Sequence, residues 1–167
     1  LSRPSPAVIW PAPENCVKAK LFVPTTADPL LVLQTKPLSA FTVPCLDNKN
    51  DVVLIGTHIE NKTIDQIVNN GNTHPSLNCK LPTELKIKKF EEFKNEFKEK
   101  PNLIVLAVNS KGIDWAAEEI SKCNADGIPI LLLTKGLTVI NNKFETLADK
   151  LKQILIKKGF KKINISA

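Results

Sequence analysis

The chain has 167 residues and a mass of 18.5 kDa, enough for one domain with its own core and too few for two comfortable ones. With 43% apolar and 24% charged residues it is globular in character. No run approaches the roughly 18 apolar residues of a membrane span and no charged-then-apolar leader opens the chain, so no membrane partner and a cytoplasmic location are expected. The net charge of +6 does not mark a nucleic-acid surface, because the lysines alternate with acids, Arg3 is the sole arginine and tyrosine is absent.

Cys16, Cys45, Cys79 and Cys123 stand far apart with no C-x-x-C pair, and His58 and His74 have no ligand spacing to them. Reduced thiols and no metal site are the expectation. All six glycines lie at or after Gly56, and the chain contains no methionine.

Residues 1–37 hold seven of the twelve prolines, the only arginine and no glycine. Residues 1–29 are expected to form a Pro-rich arm, non-native or disordered, with residues 30–167 as the folded domain. LLVLQTKPLSAFTVP (30–44) has the layout of a first strand, a turn and a first helix of a nucleotide-binding α/β domain, but it lacks glycine. LLVL (30–33) is the candidate for the first strand's place in the sheet.

Beyond it the chain alternates. DVVLIGT (51–57) reads as a buried strand, and ENKTIDQIVNNG (60–71) as a helix with Ile59, Ile64, Ile67 and Val68 near one face and Gly71 at its end. The span 72–82 reads as a polar loop and LKIKKF (85–90) as a short strand. EEFKNEFKEK follows as an amphipathic helix through Phe90, Phe93 and Phe97, stopped by Pro101. NLIVLAV (102–108) and IPILLLTKG (128–136) are further buried strands. Between them lies a helix with Ile113, Ala116, Ala117 and Ile120 inward; Trp115 and the phenylalanines are read as core. FETLADKLKQILIKKG (144–159) is a helix with Phe144, Leu147, Leu151, Ile154 and Leu155 on one stripe, and KKINISA is a last strand. Such alternation predicts a Rossmann-like, doubly wound α/β domain: a mostly parallel sheet in a three-layer α/β/α stack.

Ligands of such sheets bind beyond the carboxyl ends of the strands, where Gly56-Thr57-His58, Asn109-Ser110-Lys111-Gly112 and Thr134-Lys135-Gly136 would lie. Lys135, directly after LLLT, is placed to meet a phosphate or a carbonyl oxygen, or is a surface lysine in a strand-to-helix loop. The tip Gly56-Thr57-His58 carries no carboxylate where an NAD-selective fold puts Asp or Glu, so NADP is admitted as well as NAD. His58 is either part of that adenosine end or an ordinary exposed loop residue.

Several stretches together resemble the N-terminal, cofactor-binding half of the NAD(P)-dependent glycerol-3-phosphate dehydrogenases: SAFTVPCLDNKNDVVLIGTH, HPSLNCKLP, LIVLAVNSKGIDW, ILLLTKGL and KINISA, from about Ser39 to Ala167. The resemblance implies reversible hydride transfer between NAD or NADP and the pair dihydroxyacetone phosphate and sn-glycerol 3-phosphate. A homodimer is implied for the full-length family protein. It assigns Lys135 to substrate and cofactor, Asn109, Ser110 and Gly112 to the segment passing the cofactor, and Thr57 and His58 to the adenosine end. The family's glycine fingerprint would fall on residues 33–38, with Leu33, Thr35 and Leu38 in the glycine places, a degenerate phosphate loop. The second domain and its catalytic lysine lie outside this sequence, so no catalytic residue is expected within the chain and the chain alone is expected to be inactive. The alternative is a non-enzymatic Rossmann-like scaffold or interaction module that has lost its phosphate loop.

Overall fold

The computed structural model describes residues 19–23, 46, 50–75, 79–140 and 142–167. Runs of β-branched and aliphatic residues form the strands: β1 is Ala19–Val23, β2 Val52–Gly56, β3 Thr73–His74, β4 Cys79–Lys80, β5 Lys86–Lys88, β6 Leu103–Leu106, β7 Ile130–Leu132, β8 Leu137–Ile140, β9 Lys143–Thr146 and β10 Ile165–Ser166. The helices are α1 Asn61–Asn69, α2 Ile113–Ser121 and α3 Leu147–Lys157, with 3-10 segments at Phe90–Phe97 and Ser110–Gly112.

Six strands make one sheet in the order β10-β7-β6-β1-β2-β5, and every pairing in it is parallel. Alternate residues leave opposite faces of each strand. Val52, Leu54 and Val105 therefore join Ile64 and Ile67 of α1 in one buried cluster. Val53, Ile55, Ile104 and Leu106 join Ile113, Ala117, Leu151 and Leu155 of α2 and α3 in another. Each such aliphatic side chain, once fully buried, contributes about 1.5–3 kcal/mol, which is why a strand this short stays in place.

The expected strand at 30–33 is corrected. β1 holds the place between β2 and β6, in register Val23 to Gly56 and Phe22 to Leu106, while residues 30–33 lie outside the described residues. AKLFV is a proline-free stretch between Pro13 and Pro24 that ends in the apolar run Leu21-Phe22-Val23. It falls inside the span 1–29 read as an arm, so the sheet takes in these five residues of that span.

Four further expectations shift. The phenylalanine helix is a 3-10 segment, in which side chains three apart eclipse; Phe90 and Phe93 stack accordingly, with ring centroids 5.8 Å apart and 15° between planes. Phe144 leaves the helical stripe: Phe144–Thr146 belong to β9, paired antiparallel with β8, and Phe144 is 79% exposed. The break is chemical, because Thr146 and Asp149 form a reciprocal capping box that starts α3 at Leu147. Ile59 and Val68 are exposed, while Ile64 and Ile67 alone of that set are buried. The loop expected at 72–82 contains the short antiparallel pair β3–β4.

Backbone conformation constrains one turn and side-chain space constrains one strand end. Gly71 and Asn72 turn left-handed after α1, at φ 59° and 62°, as the sequence predicted for a glycine at that end. Gly56 has no room for a side chain, because a Cβ there would sit 2.7 Å from Ile64 Cγ1.

Gly56→Ala should therefore destabilise the fold by about 1–3 kcal/mol, read as a lower urea midpoint at unchanged m-value. In an Ile64→Ala background, which removes the atoms in the way, the added cost should shrink.

His74 on β3 is buried, and desolvation holds its pKa below the ordinary value. The folded state then binds fewer protons than the unfolded one between the lowered pKa and about 6.5. Stability from this residue is full above that pH and declines as pH falls below it. Denaturation midpoints measured from pH 7.5 to pH 5 should show that decline, and His74→Gln should flatten it.

Candidate functional site at the carboxyl edge of the sheet

Because all six strands run the same way, their carboxyl ends meet at one edge. The registers align Val23 with Gly56, Phe22 with Leu106, and Leu106 with Leu132. Thr57 and His58, Asn109 to Gly112, and Thr134 and Lys135 thus follow strands that end side by side. β1 has β2 on one side and β6 on the other, so the strand order changes direction there, the crevice in which such sheets bind ligands.

The tip of β2 is closed on itself. Thr57 donates from its backbone N–H and from its hydroxyl to Glu60 Oε2, both at 2.7 Å. Glu60 is 1% exposed, and its own N–H donates to Thr57 O. Turning that carboxylate outward would strand two buried donors, at about 1–3 kcal/mol each. His58, the next residue along, is exposed. Its ring lies 5.0 Å from Trp115 at the start of α2 and 6.1 Å from Phe90 just past β5, and Phe90 and Trp115 are 5.3 Å apart. Segments that follow three different strands, the loop after β2, the 3-10 segment after β5 and α2 after β6, meet in this aromatic group.

At the end of β6, Asn109 Oδ1 accepts from Gly112 N at 2.9 Å and caps the turn that leads into α2. A Cβ on Gly112 would meet Val108 Cβ at 3.1 Å, so the turn lies tight against the strand end. Ser110 and Lys111 are exposed. The Thr134 hydroxyl donates to Val108 O, tying the end of β7 to that of β6. Lys135 is exposed beside that tie. Outside the crevice residues, a shallow apolar groove runs along the β8–β9 hairpin and α3, lined by Leu137, Phe144, Thr146, Asp149, Gln153 and Ile156.

Every predicted site residue from Thr57 onward stands on this edge; Leu33, Thr35 and Leu38 lie outside the described residues. Spacing alone missed the inward bond of Glu60 and the aromatic group. Phe90 and Trp115, read as core from their helical spacing, do pack against the core cluster while half-buried, and the same two rings also meet His58. Among the described residues there is no metal-binding cluster and no helix long and apolar enough to cross a membrane.

A nicotinamide dinucleotide fits this edge at its adenosine end, where an exposed imidazole adjoins two half-buried aromatic rings. Residues 24–45, which follow β1, lie outside the described residues. Pro24 follows Val23 directly and has no N–H to offer, and no glycine precedes Gly56.

Solved structures of glycerol-3-phosphate dehydrogenases share this fold. The chain superposes on those from Plasmodium falciparum (17% identity, TM-score 0.54), Saccharomyces cerevisiae (11%, 0.55) and Coxiella burnetii (14%, 0.56). It is covered over 84%, 84% and 90% of its own length, and spans 38%, 40% and 39% of theirs. No protein-family model and no curated protein matches the sequence.

The aromatic group should be energetically coupled. A double-mutant cycle of Phe90→Ala and Trp115→Ala is expected to give a coupling energy of about 0.5–1.5 kcal/mol, read from denaturation curves. Strict additivity would show that the rings do not hold each other.

Proposed function

We propose that the chain is the nicotinamide-dinucleotide-binding domain of a glycerol-3-phosphate dehydrogenase, a three-layer, doubly wound α/β unit that lacks most of the machinery for catalysis on its own. The observation that carries this reading is the parallel sheet in the order β10-β7-β6-β1-β2-β5, with the GTH, NSKG and TKG segments all at its carboxyl edge. Its fold is shared with three such dehydrogenases.

In this reading His58 meets the adenosine while Thr57 is buried behind it and holds Glu60, the capped turn from Asn109 to Gly112 passes the cofactor, and Lys135 offers its ammonium to an oxygen of dihydroxyacetone phosphate or glycerol 3-phosphate. The cofactor, when bound, supplies or accepts the hydride. Lys135 is well suited to its task because it is exposed while its backbone is fixed through Thr134. A second reading, a Rossmann-like scaffold without nucleotide affinity, is favoured by one observation: the glycine-free stretch from residue 1 to residue 55.

Calorimetric titration of the purified chain with NADH and NADPH separates the two. Weak but saturable binding, with Kd above about 100 µM for want of the glycine fingerprint, is expected; no heat from either nucleotide favours the scaffold. The same chain should not oxidise NADH in the presence of dihydroxyacetone phosphate, and measurable turnover would contradict its being inactive alone.

A further inference from the structure

We propose that the tip of β2 selects adenine nucleotides carrying a 2′-phosphate, so that the cofactor is NADP rather than NAD, with His58 as the discriminating residue. This rests on the dinucleotide reading above. An NAD-selective fold presents a carboxylate at this tip to accept from the ribose 2′-OH and to repel a 2′-phosphate. Here Glu60, Glu91 and Asp65 each have a protein partner, and Asp114, next to Trp115, pairs with Lys150.

Glu60, the first carboxylate after β2, faces inward with Oε2 bonded to both donors of Thr57. Glu91, in the 3-10 segment after β5, accepts from Asn61 Nδ2 at 2.6 Å at the start of α1. Asp65, one turn further along α1, pairs with Lys89 at 2.7 Å. The first turn of α1 contains no acid.

What the tip does present is His58. Its ring is exposed, rests against Trp115 and Phe90, and makes no hydrogen bond to a described residue. An imidazole N–H held beside aromatic rings is a donor for a phosphate oxygen, next to surface on which an adenine can pack. A dianionic group at this place also meets a chain of net charge +6.

The test compares adenosine 2′,5′-bisphosphate with adenosine 5′-monophosphate, which differ only in the 2′-phosphate and contain no diphosphate. Adenosine 3′,5′-bisphosphate serves as a control of equal charge, and binding to the purified chain is read by calorimetry at fixed salt. The 2′,5′-bisphosphate should bind about tenfold more tightly than either of the others. His58→Ala should narrow that ratio to about threefold or less, and His58→Asp should reverse it by charge repulsion. Far-ultraviolet circular dichroism verifies that both variants, altered at an exposed position, remain folded.

Equal binding of the 2′,5′-bisphosphate and the 5′-monophosphate overturns the selectivity and leaves the dinucleotide reading standing. Equal binding of the two bisphosphates shows attraction by charge alone and overturns it too. A ratio unchanged in His58→Ala removes His58 from the role. Failure of all three ligands to bind removes the dinucleotide reading and this inference with it.

Discussion

The structure depends on one short strand. β1 is the shared neighbour of β2 and β6, which do not pair with each other, so without Ala19–Val23 the sheet would part into β10-β7-β6 and β2-β5. The constraint is stringent because parallel strands need cover on both faces, and the two buried clusters supply it on either side of the same strands. The crevice exists only because β1 places the ends of β2 and β6 two strand widths apart, with loops leaving in opposite directions.

That strand was also the hardest to see in the sequence. β2, β6 and β7 were legible as unbroken runs of Val, Ile and Leu, since both of their faces are buried and no polar residue interrupts them. AKLFV carries a lysine and sits in a proline-rich context, and composition over a window of dozens of residues concealed five that form a strand. LLVL at 30–33 was the more apolar run, and apolarity alone does not decide which run occupies a place in a sheet. The hairpin β8–β9 was hidden for the opposite reason. FETLADKL matches a helical stripe from Phe144, but the local capping chemistry of Thr146 and Asp149 starts the helix three residues later.

The site divides in the same way. Position along the chain was enough to place Thr57, His58, Asn109, Ser110, Gly112 and Lys135 on one edge, because in a parallel sheet the residue after each strand must lie there. Side-chain direction was not legible. Glu60 lies just past the tip of β2 in the sequence, and nothing there announces that Thr57, three residues earlier, offers two donors that turn it inward. Phe90 and Trp115 look like core residues and pack against the core, and they also form the wall against which His58 rests, which their spacing did not reveal. The first is a local hydrogen bond and the second a set of contacts between segments far apart in sequence, and no period in the sequence encodes either.

The account stands or falls on where a nucleotide binds. Amide hydrogen exchange followed by NMR, with and without saturating NADPH, measures this directly. Added protection should be confined to the carboxyl edge, at Thr57 to Glu60, Asn109 to Gly112 and Thr134 to Gly136. Protection centred instead on Asp126, Lys161 and Lys162, where Asp126 Oδ1 holds the two lysine N–H groups ahead of β10, or no protection at any site, would contradict it.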